Sequence, residues 1–187
     1  MKGLIHKFCT RYHFSENDAL KLINEMDVAE YKKLDKIIEE GKHNSSLYLV
    51  SDGLMRGYSM IEGIDTTMWF ASEGEIFFSV WSYVDNKASH ITIETLSDCT
   101  VYSIPKAKLE VLFSSSITFA NLGRKLIEQY CLSIEVWMVD WEIPTARERY
   151  LALLEKTPEF IMHVPLYQIA SYLRITPQSL SRIRAQL

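Results

Sequence analysis

The sequence is poor in cysteine and glycine, and its 187 residues hold no apolar run long enough to cross a bilayer. Cys9, Cys99 and Cys131 are isolated and odd in number, which excludes a disulfide framework and the spacings that hold zinc or an iron–sulfur cluster. Such thiols read as buried and reduced, in keeping with a cytoplasmic protein. His6, His13, His43, His90 and His163 share no metal-ligand spacing. His6, Cys9 and His13 are the one group that could be drawn as ligands, and no metal is expected. Lys7 and Arg11 interrupt residues 1–14, so these form no export signal. There is no glycine-rich phosphate loop and no paired nucleophile and base, so no enzyme class and no cofactor is expected. Two absences of charge remain. No acidic residue occurs from Phe160 onward, and no arginine lies between Arg56 and Arg124. The net charge of −4 means that any contact with nucleic acid must come from a local patch.

The acid-free end holds the densest pattern. In residues 165–173, Leu166, Ile169, Ala170 and Leu173 share one face of a short helix, and small Ala170 permits a second helix to pass close. A brief turn follows. Thr176 suits the N-cap of a second helix, and Pro177 suits its first turn, where no backbone N–H is needed. Leu180, Ile183 and Leu187 then point inward, leaving Gln178, Ser179, Ser181, Arg182 and Arg184 outward. This predicts a helix-turn-helix whose outward side chains read base edges and grip phosphates. The alternative is a helical hairpin that only packs, with Arg182 paired to Glu155 or Glu159.

The rest of the chain divides by period. Residues 15–25 predict an amphipathic helix capped by Ser15, with Leu20, Leu22 and Ile23 apolar. Residues 26–41 suit either a helix or short strands. From 46 to 106, short runs such as Leu47-Tyr48-Leu49-Val50 and Cys99-Thr100-Val101-Tyr102 are punctuated by Asp52-Gly53, Glu62-Gly63 and Glu73-Gly74, predicting a small antiparallel sandwich or barrel. From 116 to 141, Phe119, Leu122, Leu126, Tyr130, Ile134, Trp137 and Trp141 recur every three or four residues. That is a helix of about 40 Å, which either pairs with a copy of itself or is buried against the barrel. Pro144 breaks it, residues 142–144 form a hinge, and Thr145 with Glu148 opens the next helix through a capping box.

This order, together with Arg149-Tyr150 and the run Gln168-Ile169-Ala170-Ser171-Tyr172-Leu173, resembles the cyclic-AMP receptor protein and Fnr superfamily of bacterial regulators, especially in its Bacteroidetes-type versions. The resemblance covers nearly the whole length. It implies an α+β fold with an antiparallel β-roll sensor over 1–115, a dimerisation helix over 116–142, and a winged-type helix-turn-helix over 143–187. It makes residues 26–41 strands. It implies homodimerisation through Leu122, Leu126, Tyr130, Ile134 and Trp137. It also implies binding to double-stranded DNA at an imperfect palindrome through Thr176, Gln178, Ser179, Ser181, Arg182 and Arg184, with Arg174 on phosphate. RNA polymerase and a small-molecule effector are further candidate partners; a membrane is not.

Two departures bear on this expectation. Arg174 stands in the turn where such motifs usually have glycine, which allows a positive φ. The family's cyclic-nucleotide cassette begins Gly-Glu and ends with an arginine that neutralises the cyclic phosphate. Here Gly74-Glu75-Ile76 matches the beginning, but Ser89-His90 stands at the end, with Lys87 two residues before. A buried phosphate without its guanidinium loses a charge-assisted contact, and a lysine is not its equivalent. The expected effector pocket, Glu75, Lys87, Ser89 and His90, therefore does not favour cyclic AMP. Trp69, Phe70, Phe77, Phe78, Trp81 and Tyr83 nearby either line a pocket for an apolar or planar ligand or form barrel core. The functional expectation is a DNA-binding regulator with an altered sensor; the alternative is a nucleotide- or small-molecule-binding module with another output.

Overall fold

The structure is a computed structural model and describes residues 2–140 and 142–187. Two helices lead, α1 (Lys2–Tyr12) and α2 (Glu16–Ile23), the second capped where expected: Ser15 Oγ accepts from Asp18 N at 3.1 Å. The segment left open as helix or strand is strand: β1 (Asp27–Tyr31) and β2 (Lys36–Ile38). β3 (Ser46–Asp52), β4 (Met55–Ile61), β5 (Ile64–Ala71), β6 (Ile76–Phe77), β7 (Thr92–Thr95) and β8 (Cys99–Pro105) follow, with the short helix α3 (Val80–Asp85) between β6 and β7. All pairings are antiparallel, in two four-stranded sheets ordered β1-β8-β3-β6 and β2-β7-β4-β5. The helices α4 (Lys106–Ser115), α5 (Ile117–Asp140), α6 (Ala146–Lys156), α7 (Pro158–His163), α8 (Leu166–Tyr172) and α9 (Pro177–Arg184) complete the chain. Trp141, expected to end the long helix, lies outside the described residues.

Three cores hold these elements. Between the sheets, Ile38, Val50, Met55, Ile93 and Val101 meet from alternate strand positions. Beneath the barrel, α1, α2, α4 and α5 close a second core of Leu4, Phe8, Leu22, Leu49, Ile104, Leu109, Leu122 and Leu126. The third core joins Tyr150, Phe160, Ile169, Leu173 and Leu180 of the C-terminal helices to Leu54 and Leu96 of the barrel. The C-terminal helices are thus docked on the sheets. Phe70 of β5 stacks on Phe160 at 5.2 Å and meets Tyr172 at 5.3 Å between ring centroids. At the sheet edge, Ser171 Oγ donates to Asp65 O (2.9 Å) and accepts from Thr67 N (3.0 Å), covering backbone groups that an edge strand otherwise leaves open.

That edge is held from inside by Arg56, only 3% exposed on β4. Its guanidinium forms a bidentate pair with Asp65 (2.6 Å each), and Nε donates to Glu94 on β7 (2.7 Å), so one side chain ties three strands. The bond between Gly57 and Tyr58 marks a bulge, and a Cβ on Gly57 would come within 2.4 Å of the Trp69 ring, which lies across the strand there.

No strand follows β8 among the described residues, so the expected wing is not among the elements described. One expectation is corrected at this level. The cysteines are not uniformly buried: Cys99 is, Cys9 is half-buried and Cys131 is exposed on α5. No helix among the described residues is long and apolar enough to cross a membrane.

Candidate functional site

The turn between α8 and α9 is built from a helix end. Arg174 N donates to Ser171 O and Ile175 N donates to Ala170 O, both at 3.0 Å, the paired bonds of a Schellman ending. That motif needs a left-handed residue after the cap, and Arg174 supplies it with φ of 54°. The arginine in the glycine position therefore keeps the turn at the cost of backbone strain. Thr176 then caps α9, its Oγ1 accepting from Ser179 N at 3.2 Å, and Pro177 occupies the first turn. Leu180 is fully buried and Ile183 half-buried. Leu187 is 58% exposed, against expectation, because the helix ends at Arg184 before Leu187 can complete the face.

Of the predicted reading residues, Arg174, Thr176, Gln178, Ser181, Arg182 and Arg184 are exposed, and Ser179 is half-buried against its cap. Neither Arg182 nor Arg184 is in an ion pair with an acid among the described residues, Glu155 included. The pair of helices thus presents one exposed basic and polar face on an apolar base.

The expected seam on α5 is not one surface. Leu122 and Leu126 are buried in their own chain's core and Tyr130 packs against it, so these three are not available to a partner. Trp137 is half-buried, and only Ile134 of the five lies open, at 42% exposure. The helix has a second stripe instead: Ile117, Ala120, Arg124, Ile127, Cys131, Ile134 and Met138, spaced alternately by three and four, all exposed. That is the spacing of a paired helical seam. The sequence pattern detected a periodicity that the buried stripe and the open stripe share, and did not separate the two.

The four expected effector residues also separate. Glu75 is engaged by its own chain: it accepts from Ser72 N (2.7 Å) and forms an ion pair with Arg11 of α1 (3.0 Å). Lys7 of α1 pairs likewise with Glu73 (2.7 Å), and Ile76 N donates to the Tyr12 hydroxyl (2.9 Å). Burial pushes the Tyr12 phenol up to about 12, so it stays protonated. Gly74 has φ of 86°, and a Cβ there would stand 2.8 Å from Lys7 Cβ, so the glycine is required both for the turn and for the approach of α1. Ser89 is buried and donates to Ile91 O at 2.7 Å. Lys87 points to solvent and pairs with Asp85. Lys87 and Ser89 therefore do not join a pocket, because one is solvated and the other closes its own turn.

Glu75 and His90 do line a cavity, of about 500 Å³. One wall is barrel: Trp69, Phe70 and Phe77, with Trp81 of α3 stacked on His90 at 4.9 Å. A second wall is α5, with Tyr130, Ser133, Ile134 and Trp137. The third comes from the C-terminal helices: Arg149, Ala152, Leu153, Phe160, Tyr172 and Leu173. Arg149 donates to Ile143 O (2.9 Å) and Leu173 O (3.3 Å), tying the predicted hinge to the end of α8. Burial raises the Tyr130 phenol, so this wall is uncharged. The aromatic set was visible in the sequence, and five of its six members line this space; Tyr83 instead packs on Phe78 in the core. The contributions of α6, α7 and α8 were not visible, since they depend on how those helices dock.

Residues 28–116 match the cyclic nucleotide-binding domain family. Comparison with curated proteins finds no significant match. Among solved structures the fold is similar to that of FixK2 from Bradyrhizobium japonicum, with a TM-score of 0.74 at 20% identity, covering 87% of this chain and 84% of that one. It is similar to the c-di-GMP responsive global regulator CLP of Xanthomonas campestris, with a TM-score of 0.72 at 13% identity, covering 92% and 91%. It also resembles a CooA mutant from Carboxydothermus hydrogenoformans, with a TM-score of 0.66 at 17% identity, covering 89% and 78%. The chain shares the fold of these proteins from the barrel through the C-terminal helices.

Proposed function

We propose that the chain is a homodimeric, sequence-specific DNA-binding regulator of the cyclic-AMP receptor protein and Fnr type, with a sensor that does not use cyclic AMP. The observation that carries this reading is α9: a capped helix seated on Leu180, with Gln178, Arg182 and Arg184 exposed and no acidic residue from Phe160 onward. Such a helix fits the major groove, with Gln178 and Arg182 on base edges, Ser179 and Ser181 on base or phosphate, and Arg184 and Arg174 on phosphates. The open stripe of α5 supports pairing with a second copy. The units are then the sensor over 1–115, the pairing helix over 116–142 and the reader over 143–187.

The sensor reading rests on the cassette. Glu75 is held by Arg11, and Ser89 stands where a phosphate would need a guanidinium. The match of residues 28–116 to the cyclic nucleotide-binding domain favours the second reading, a nucleotide-binding module with another output. Selection of bound duplexes from random DNA separates the two. The regulator reading expects an enriched imperfect palindrome with half-sites about one helical turn, roughly 34 Å, apart. Arg182→Ala is expected to cost about 1–3 kcal/mol and relax one base pair per half-site. Arg184→Ala is expected to weaken all sequences alike and flatten the salt dependence. No enriched site, or an unchanged motif with Arg182→Ala, removes the assignment.

A further inference from the structure

We propose that the cavity between the barrel, α5 and the C-terminal helices is a binding site for a planar, uncharged, largely aromatic small molecule, and that its occupant bridges the sensor and the reader. The size is right: about 500 Å³ falls within the range of about 300–1,000 Å³ typical of small-molecule sites. The walls are flat rings on three sides, with Trp69 and Phe77 from the sheets, Trp81 from α3, Trp137 from α5, and Phe160 and Tyr172 from the C-terminal helices. Rings of this kind favour the π-face of a planar ligand.

Charge selects against the alternatives. Among the described lining residues, Arg149 directs its guanidinium to the carbonyls of Ile143 and Leu173, and Glu75 is neutralised by Arg11. His90, also at the wall, lies flat against Trp81. A phosphate entering this space would meet only the Arg149 guanidinium, whose two terminal nitrogens already donate to Ile143 O and Leu173 O, so no bidentate contact offsets its desolvation. Ser133 and Thr157 donate their hydroxyls to Tyr130 O (2.7 Å) and Leu153 O (3.1 Å), so each can accept from a hydroxyl or N–H on the ligand. Phe70 links the site to the docking of the reader, because it lines the cavity while stacking on Phe160 and meeting Tyr172. An occupant therefore touches the same rings that hold the reader against the barrel. The regulatory half of this inference rests on the DNA-reading proposal; the binding half does not.

The test uses the full chain and N-phenyl-1-naphthylamine, an uncharged planar fluorescent probe, in the absence of DNA. Saturable binding at one probe per chain is expected, with energy transfer from the cavity tryptophans. Ala152→Phe on α6 and Ser133→Phe on α5 fill the space from different sides, and each is expected to weaken binding at least tenfold with unchanged circular dichroism. Two variants guard against the failure of either to fold. Val111→Glu, exposed on α4 and outside both the cavity and the open stripe, is expected to leave binding unchanged. Binding kept at full strength in both filling variants would place the probe elsewhere on the chain and overturn the site. Displacement of the probe by millimolar cyclic AMP would overturn the ligand class. With a selected duplex, saturating probe is expected to shift DNA affinity at least threefold in the parent and not in Ala152→Phe; equal affinity with and without bound probe would overturn the bridging role. A chain that binds probe but no DNA fails the DNA-reading proposal and leaves the binding site standing.

Discussion

The cassette segment around Glu75 and the helix α9 carry similar polar side chains to opposite ends. At the cassette every group is engaged within the chain: Glu75 with Arg11 and Ser72, Glu73 with Lys7, Ser89 with Ile91. On α9 the arginines stand outward with no acid to meet them among the described residues. α5 repeats the contrast with apolar groups, Leu122 and Leu126 closing the chain's own core while Ile127, Ile134 and Met138 lie open. A residue type in the right place is a ligand-binding group only if the fold has not already used it. The surfaces left uncommitted, α9 and the open stripe of α5, are the ones that the proposed function assigns to partners.

The sharpest break of this comparison is on α5. Leu126→Glu puts a carboxylate in a site that is 1% exposed, and a loss of at least about 3–5 kcal/mol is expected, enough to erase a cooperative melting transition. Ile134→Glu, two turns away on the open stripe, is expected to keep the melting temperature of the isolated chain while halving the mass seen in sedimentation equilibrium. Equal behaviour of the two variants would mean that the stripes do not differ.

Smaller effects sharpen the contrast at the turn and the cassette. Arg174→Gly relieves the left-handed strain at φ of 54°, and stability is expected to rise by up to about 1 kcal/mol in thermal melts. The same variant is expected to bind DNA slightly less well, with a shallower salt dependence, because a phosphate contact is lost. Arg11→Ala frees Glu75 from an exposed ion pair, at a cost of about 1 kcal/mol or less. Calorimetry is expected to show no submicromolar binding of cyclic AMP to this variant or to the parent, since no arginine replaces Ser89. Tight binding by the variant would show that Arg11 alone closes the site.

Local chemistry made much of this legible. Ser15, the Thr145–Glu148 box and Thr176 each cap the helix the sequence assigned to them, and the glycine turns Gly53, Gly63 and Gly74 each take positive φ. What depended on long-range packing was not legible. Leu4, Phe8 and Tyr12 make α1 a helix that covers the cassette, but nothing in those residues alone names Glu75 as the target of Arg11. The seam of α5 shows why periodicity is not enough. Two stripes one residue apart, at 126–130 and 127–131, have the same spacing, and only the docked barrel decides which is inside. The cavity was half visible, as aromatics, because its third wall is made by helices whose approach is fixed by Phe70 and Ser171.

The most direct test of the account is the binding of one selected palindromic duplex, measured by anisotropy against the parent and Ile134→Glu. The account predicts that the parent saturates at two chains per duplex and that Ile134→Glu loses at least tenfold in affinity, because two α9 helices must be held together by the open face of α5. Saturation at one chain per duplex with equal affinity for both proteins would contradict it.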